Sequence, residues 1–257
     1  MNDGKVIIQN EIAWDKRVND AMCWTVPVTS EDIEKARNGV FGIKLTAIKN
    51  VPRDWFPQKM EGLKILCLAC GGGQQAPILA ATGANVTVFD ISLNQLKQDE
   101  FVASRENINL KTVQGDMCDL SQFNNNSFDM VYCPVSVTYI PDVLPVFKES
   151  YRVLKKGGLF LFGAVNPFIY LFNGEKWDKD IFEVTNKLPF NSFDELDEKG
   201  IEDFIRDKNA IEYSHTLEAL IGGQTKVGFL ITDFYEDVDS DKICEYSAKY
   251  FATKAIK

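Results

Sequence analysis

The stretch Leu66-Cys67-Leu68-Ala69-Cys70-Gly71-Gly72-Gly73-Gln74-Gln75 sets three consecutive glycines between an apolar run and a helix-like segment. Glycine at such a turn tolerates left-handed backbone and lets main-chain N–H groups approach an anionic or polar ligand. A bare tight turn would avoid the conformational entropy of Gly-Gly-Gly, so the loop is a candidate binding site. Asp90 closes the next apolar run, Asn85-Val86-Thr87-Val88-Phe89, where a carboxylate hydrogen-bonds a ribose diol in open α/β folds. This pair leaves the ligand open, because Gly71-x-Gly73-x-x-Ala76 satisfies the relaxed dinucleotide fingerprint and keeps a nicotinamide-dependent oxidoreductase as an alternative. Two side chains are candidates for proton transfer. Tyr139 falls in the loop Val137-Thr138-Tyr139-Ile140-Pro141-Asp142 after the fourth apolar run, and His215 is the one histidine, titrating near neutrality when unperturbed. Cys67 and Cys70 have C-x-x-C spacing, but Cys67 lies inside the apolar run rather than at a helix N-terminus, so packing is expected over redox chemistry.

The elements that must position these residues alternate regularly from Lys64. Apolar runs at Lys64–Leu68, Asn85–Phe89, Leu110–Val113, Phe128–Tyr132 and Leu159–Phe162 predict strands. Crossover helices fit the gaps: Gln75–Thr82, Leu93–Glu106 with Ser92 as N-cap, and Asp142–Leu154 closed by Lys155-Lys156-Gly157-Gly158. That rhythm is the mark of a parallel sheet. It stops after Val165, and Asn166 to Tyr213 reads as an insertion, with twelve acidic residues against six basic between Glu175 and Glu212. A helix from Thr216 to about Lys226 and strands at Phe229–Tyr235 and Tyr250–Ile256 complete the chain. The first sixty residues carry three of the four tryptophans, Trp14, Trp24 and Trp55, among helix-like segments such as Ser30–Asn38, with Ser30 placed to cap it. A small helical cap is expected there. Trp14 and Trp24 either line a substrate pocket beneath it or staple the cap to the sheet.

The composition narrows the function classes. At 257 residues, 45% hydrophobic and 25% charged, the chain has ordinary globular composition and enough length for one sizeable core. A net charge of −9 repels a phosphate backbone, so nucleic acid is not an expected partner. Met1-Asn2-Asp3-Gly4-Lys5 lacks a basic segment followed by an apolar one, and the most apolar stretch, Gly158 to Phe172, is interrupted by Asn166-Pro167. A cytoplasmic protein without membrane insertion is expected. Six scattered cysteines are too few for a disulfide scaffold, and one histidine excludes a multi-histidine metal site; no metal is expected, although carboxylates alone remain open.

Further motifs follow in order. Gly115-Asp116-Met117 comes after the third run, Ser127-Phe128-Asp129 opens the fourth, and Arg152-Val153-Leu154-Lys155-Lys156-Gly157-Gly158 precedes the fifth. With these motifs, over about residues 62 to 165, the chain resembles the class I S-adenosylmethionine-dependent methyltransferases, in particular the ubiquinone/menaquinone-biosynthesis-type group, which acts largely on small molecules. The resemblance implies a Rossmann-like, doubly wound α/β sheet of seven strands with the last antiparallel. With the cap and insertion read from the rhythm of the chain, the expectation is a single domain comprising an N-terminal helical cap (1–54), a cofactor-binding core (62–165 and 215–257) and a lid-like insertion (166–214). The resemblance also implies S-adenosylmethionine as cofactor, S-adenosylhomocysteine as product, and in-line methyl transfer to a small-molecule acceptor; a non-catalytic S-adenosylmethionine-binding protein is the alternative.

Carried over residue by residue, the resemblance puts Ala69, Cys70, Gly71, Gly72 and Gly73 against the methionine part of the cofactor and Asp90 on the ribose hydroxyls. Ile91 would flank the adenine, Asp116 would accept from its amino group, and Met117 would cover the ring. Pro134 to Ser136 would lie near the sulfonium. Two departures stand out: Cys67 occupies a position usually acidic, and Ala69 one usually glycine. The first removes a carboxylate that commonly helps hold the cofactor's ammonium, for which the side-chain amide of Gln74 or Gln75 would have to compensate. Displacement at an activated methyl group needs alignment and exclusion of water, and a base only where the acceptor must lose a proton.

Overall fold

After Lys64, the strand β1 (Lys64–Leu68) is apolar at every position, and a strand with two apolar faces must be covered on both. The computed structural model, which describes residues 3–177, 179, 181–194 and 196–257, meets that requirement with a seven-stranded sheet of order β3-β2-β1-β4-β5-β7-β6. The other strands are β2 (Asn85–Asp90), β3 (Leu110–Gln114), β4 (Phe128–Cys133), β5 (Leu154–Val165), β6 (Leu230–Asp237) and β7 (Tyr250–Ile256). The first five pair in parallel, while β7 runs antiparallel to both β5 and β6.

Strand alternation divides the core in two. Ile65, Cys67, Val86, Val88, Met130 and Tyr132 face one side, beneath α2 (Ser30–Arg37), α3 (Gln75–Ala81) and α4 (Leu93–Glu106). Leu66, Leu68, Phe89, Val131, Phe160 and Phe162 face the other, beneath α5 (Leu144–Val153) and the helical segment Glu218–Val227. Each fully buried Leu, Ile or Phe contributes roughly 1.5–3 kcal/mol from its apolar area, enough to fix the sheet against both layers. Ser92 caps α4 as the sequence predicts, its hydroxyl accepting from Gln95 N–H at 3.1 Å.

Several expectations shift. The cap of α2 is Thr29 rather than Ser30, because Thr29 and Asp32 exchange side-chain and backbone bonds in a capping box. Helix α5 starts at Leu144 and ends at Val153, so Lys155 to Gly158 belong to β5, which begins early by pairing Leu154 with Phe128. The last helix splits into a π-helical turn, Glu218–Gly222, and α8 (Gly223–Val227); Gly223 lies so close to Phe147 that an added Cβ would sit 3.1 Å from its ring.

The N-terminal sixty residues contribute α1 (Asp3–Asn19), α2 and an irregular segment that crosses the C-terminal edge of the sheet. That crossing is fixed by Val135 N–H donating to Leu45 O at 3.0 Å and by Gly163, where a Cβ would meet Leu45 O at 2.0 Å. Asp237 anchors the next residues, accepting from the Thr46 hydroxyl and from the N–H groups of Ile48 and Lys49. Between β5 and Glu218, the insertion holds the short helix α6 (Gly174–Trp177) and α7 (Glu198–Arg206). Among the described residues no helix is long and apolar enough to cross a membrane, and no group of three His, Cys, Asp or Glu is arranged to hold a metal ion.

Candidate active site

The strand order reverses between β1 and β4, and a crevice at such a switch point receives loops from both halves of the sheet. A cavity of about 360 Å³ lies there. Ala69, Cys70, Gly71, Gln74, Gln75, Asp90, Ile91, Asp116, Met117, Pro134 and Ser136 line it from the strand ends, and Trp14, Trp24 and Tyr139 from above. Gly72, Gly73 and His215 are outside the lining.

The glycine loop is held from behind. Gly72 and Gly73 have φ of 112° and 71°, and a Cβ on Gly73 would sit 2.8 Å from the carbonyl oxygen of Gln98 in α4. A Cβ on Gly71 would sit 2.6 Å from that of Gln95, and one on Gly72 would reach Trp24 O at 3.0 Å. The glycines therefore let the loop fit between α4 and the segment around Trp24, which Gln74 also fastens by donating to Cys23 O and Val26 O. The loop's N–H groups are used internally: Gly71 donates to Asp90 Oδ2 at 2.9 Å, and Gly72 to Gln95 O and Asp99 Oδ2, both at 3.0 Å. A diphosphate needs those donors facing it. This loop instead borders a cavity wall rich in acceptors, including Asp90 and Asp116, which suits a ligand carrying hydroxyls and positive charge.

Asp90 is buried, and its two oxygens accept from Gly71 and Ser92 N–H. Burial pushes its carboxyl up to about 6, and the backbone donors offset this only in part. Raising the pKa in the folded state gives the free protein a stability contribution that is complete below about pH 4 and lost as pH rises through 6. Asp99, one helical turn beyond Gln95, is fully buried behind the loop; burial holds its carboxyl well above the ordinary range, and its Oδ1 has no partner. Sequence reasoning missed Asp99, although its spacing of seven from Ser92 puts it on the same face of α4. Helix α1 closes this end, as Asp15 Oδ1 accepts from the Ser92 hydroxyl at 2.6 Å and from Asn94 N–H at 3.1 Å.

Elsewhere on the cavity wall, Trp14 meets Tyr139 edge to face at 5.3 Å, and the Arg17 guanidinium lies 4.5 Å from the Trp14 ring centre. Arg17 donates to the Tyr139 hydroxyl at 3.0 Å, while burial pushes that phenol up to about 12. Thr138, Ile169, Tyr170, Glu212 and Lys249 complete this wall, and of these Thr138, Ile169, Glu212 and Lys249 were not legible as site residues. Trp24 lies instead at the glycine-loop end, 43% exposed. His215 is buried with Nε2 against Val137 O at 2.8 Å, and burial lowers its pKa; the structure places it away from the cavity wall. The amides expected to receive an ammonium are otherwise engaged: Gln75 Oε1 accepts from Lys44 N–H at 3.0 Å, and Gln74 is turned to the cap. Cys67 and Cys70 are free and buried, and the hydrogen bond with the Cys67 thiol together with burial pushes the Cys70 thiol well up, the opposite of a reactive thiolate.

Comparison with known proteins agrees with this architecture. Residues 66–162 match the family described as a methyltransferase domain. The chain is 43% identical, over 98% of its length and 98% of the relative's, to the uncharacterized methyltransferase YbaJ of Bacillus subtilis. It is 39% identical to the sterol 24-C-methyltransferase of Aspergillus fumigatus over 39% of this chain, which is 27% of that enzyme's length. An S-adenosylmethionine-dependent methyltransferase from Mesorhizobium loti shares the fold, with a TM-score of 0.58 and 20% identity over 80% of this chain and 95% of that one. The acceptor-rich crevice, the sheet order and a relative that matches from end to end together mean that the chain belongs to the class I S-adenosylmethionine-dependent methyltransferases, enzymes that use S-adenosylmethionine as their methyl donor.

Proposed function

We propose that the cavity binds S-adenosylmethionine at its glycine-loop end and a small-molecule acceptor at its Trp14–Tyr139 end, within one domain whose N-terminal cap and insertion form the roof. The observation that carries this reading is the single crevice of about 360 Å³, in which loop residues 69–71, Asp90, Asp116 and Met117 share one space with Trp14, Tyr139 and Tyr170. Such a volume is on the scale of small-molecule sites. Bound S-adenosylmethionine supplies an activated methyl group. Asp90 would accept from the ribose diol, Ile91 and Met117 would flank the adenine, and Asp116 would accept from its amino group. The edge of Gln75 left free is its NH₂, a donor suited to a carboxylate rather than to an ammonium. Six cysteines without a disulfide suit a reducing compartment such as the cytoplasm.

Two outcomes test this reading. Asp90 must be ionised to accept from two hydroxyls, so the affinity for S-adenosylmethionine should rise between about pH 5 and 7, with a midpoint near 6, and then level off. Calorimetric titration across that range checks it, and Asp90→Ala should flatten the curve. Trp14→Ala should lower methyl transfer by roughly tenfold or more while leaving cofactor affinity within about twofold, because the ring packs on Tyr139 and Arg17 in the wall assigned to the acceptor. A variant that only melts earlier would make Trp14 a packing residue.

A further inference from the structure

We propose that Glu212 takes the proton from the methyl acceptor, and that the acceptor is a small molecule reacting through an N–H or O–H group. This rests on the cavity assignment made above. Glu212 lines the cavity bonded to Tyr170, whereas of the other carboxylates of the wall Asp90 is bonded to the glycine loop through Gly71 and Asp116 follows β3.

Its backbone is tied down on each side. Ile211 N–H donates to Asn10 Oδ1 at 2.7 Å, Glu212 N–H to Ser192 Oγ at 2.8 Å, and Tyr213 N–H to Thr138 O at 2.7 Å. These bonds join α1, the insertion and the loop after β4 around one side chain. A carboxylate held this firmly is positioned without ordering cost at the moment of reaction.

The side chain is linked to the reacting end of the crevice. Tyr170 OH donates to Glu212 Oε2 at 3.2 Å and is itself hydrogen-bonded to the Thr138 hydroxyl. Thr138 lies two residues beyond Ser136, in the loop that leaves β4. Burial raises the Glu212 carboxyl above the ordinary range, and the Arg17 charge and the Tyr170 bond offset this only in part, which suits a base working near neutral pH. The groups facing it are Arg17 from α1, Tyr139 from the loop after β4, Tyr170 from the turn after β5, and Lys249 from the approach to β7. Lys249 is already paired with Asp239 at 2.8 Å and with Asp241. Tyr139, at about 12, keeps its proton, and His215 is turned to Val137 O. Glu212 is the remaining base.

In the step, the acceptor's nitrogen or oxygen forms a bond to the methyl carbon while the sulfur–carbon bond breaks and its electron pair stays on sulfur. The acceptor's proton passes to Glu212 and then to solvent. An alkene acceptor would need no base before transfer, so the chemistry of the acceptor is what separates the readings.

The test uses the full chain. Calorimetry first establishes S-adenosylmethionine binding; release of S-adenosylhomocysteine is then followed with a panel of phenols, alkyl- and arylamines and alkenes over roughly pH 5 to 9. Turnover is expected with amines or phenols and not with alkenes, rising with pH along one limb. Glu212→Gln should lower kcat by roughly 100-fold or more and abolish that limb while cofactor affinity is kept. Tyr170→Phe, which removes a bond to the charged carboxylate, should move the limb to higher pH. Independently of turnover, carbon-13 NMR of the free protein with labelled glutamate carboxyls should show one resonance titrating above the usual glutamate range, absent from Glu212→Gln. An unchanged pH profile in Glu212→Gln, transfer to alkenes alone, or no methylation of any panel member by protein that binds S-adenosylmethionine overturns the proposal. Failure of the wild type to bind S-adenosylmethionine overturns the cavity assignment and this proposal with it.

Discussion

Replacing Gly73 by valine is expected to weaken S-adenosylmethionine binding by on the order of 100-fold, about 3 kcal/mol or more. Two costs combine. The backbone has φ of 71°, which a β-branched residue resists, and the new Cβ would press to 2.8 Å from the carbonyl oxygen of Gln98 and 3.1 Å from Val102. Neither contact involves the cofactor directly. The valine would instead lever the loop off α4, breaking the bonds from Gly71 to Asp90 and from Gly72 to Asp99 that give the crevice its shape. Gly73→Ala, which keeps the strained φ but adds less bulk, should fall between. Calorimetry on variants whose circular dichroism matches the wild type checks the order, and equal affinity for all three proteins would mean that the cofactor does not depend on this loop.

Asp90→Ala is expected to weaken the same binding by about 1–3 kcal/mol. Its carboxylate serves two roles that the variant removes together. It fixes the loop and the start of α4 through Gly71 and Ser92, and it leaves lone pairs for a ribose diol. The free protein should respond in the opposite direction between about pH 4 and 6, because ionising a buried carboxylate over that window costs folding stability that alanine does not incur. Weaker binding combined with a thermal midpoint that falls less between about pH 4 and 7 than that of the wild type is therefore the signature of Asp90 in the site. Unchanged affinity would remove it.

The core strands were legible because they are continuous apolar runs bounded by turn residues. β1 and β7 begin and end where the sequence predicts, and so does α4, whose Ser92 cap and apolar spacing agree. β5 was read five residues late at its start, at Leu159 rather than Leu154, since Lys155-Lys156-Gly157-Gly158 looks like a helix terminus and only pairing with Phe128 draws Leu154 into the sheet. The glycine loop was legible as a site, but for an incomplete reason: Gly72 and Gly73 are required by α4 and the Trp24 segment, contacts between parts of the chain far apart in sequence. The acceptor wall was illegible for the same reason. Glu212 is one of twelve acidic residues in a stretch that reads as a solvated face, and only tertiary bonds distinguish it, its own to Ser192 and Tyr170 and those of its neighbours Ile211 and Tyr213 to Asn10 and Thr138. Phe168, Phe172, Phe182 and Tyr246 pack on one another in a chain of ring contacts, Trp177 lies against Lys249, and Tyr170 lines the cavity, a division set by tertiary packing rather than by spacing along the insertion.

The most direct test is a crystal structure of the full chain with S-adenosylhomocysteine. The ribose hydroxyls should lie within hydrogen-bonding distance of Asp90, with the adenine between Ile91 and Met117. The homocysteine end should rest on residues 69–71, and open space should remain between the sulfur and the wall formed by Trp14, Tyr139 and Glu212. S-adenosylhomocysteine bound elsewhere, or seated with its adenine against Trp14 and Tyr139 and no contact to Asp90, would contradict the account.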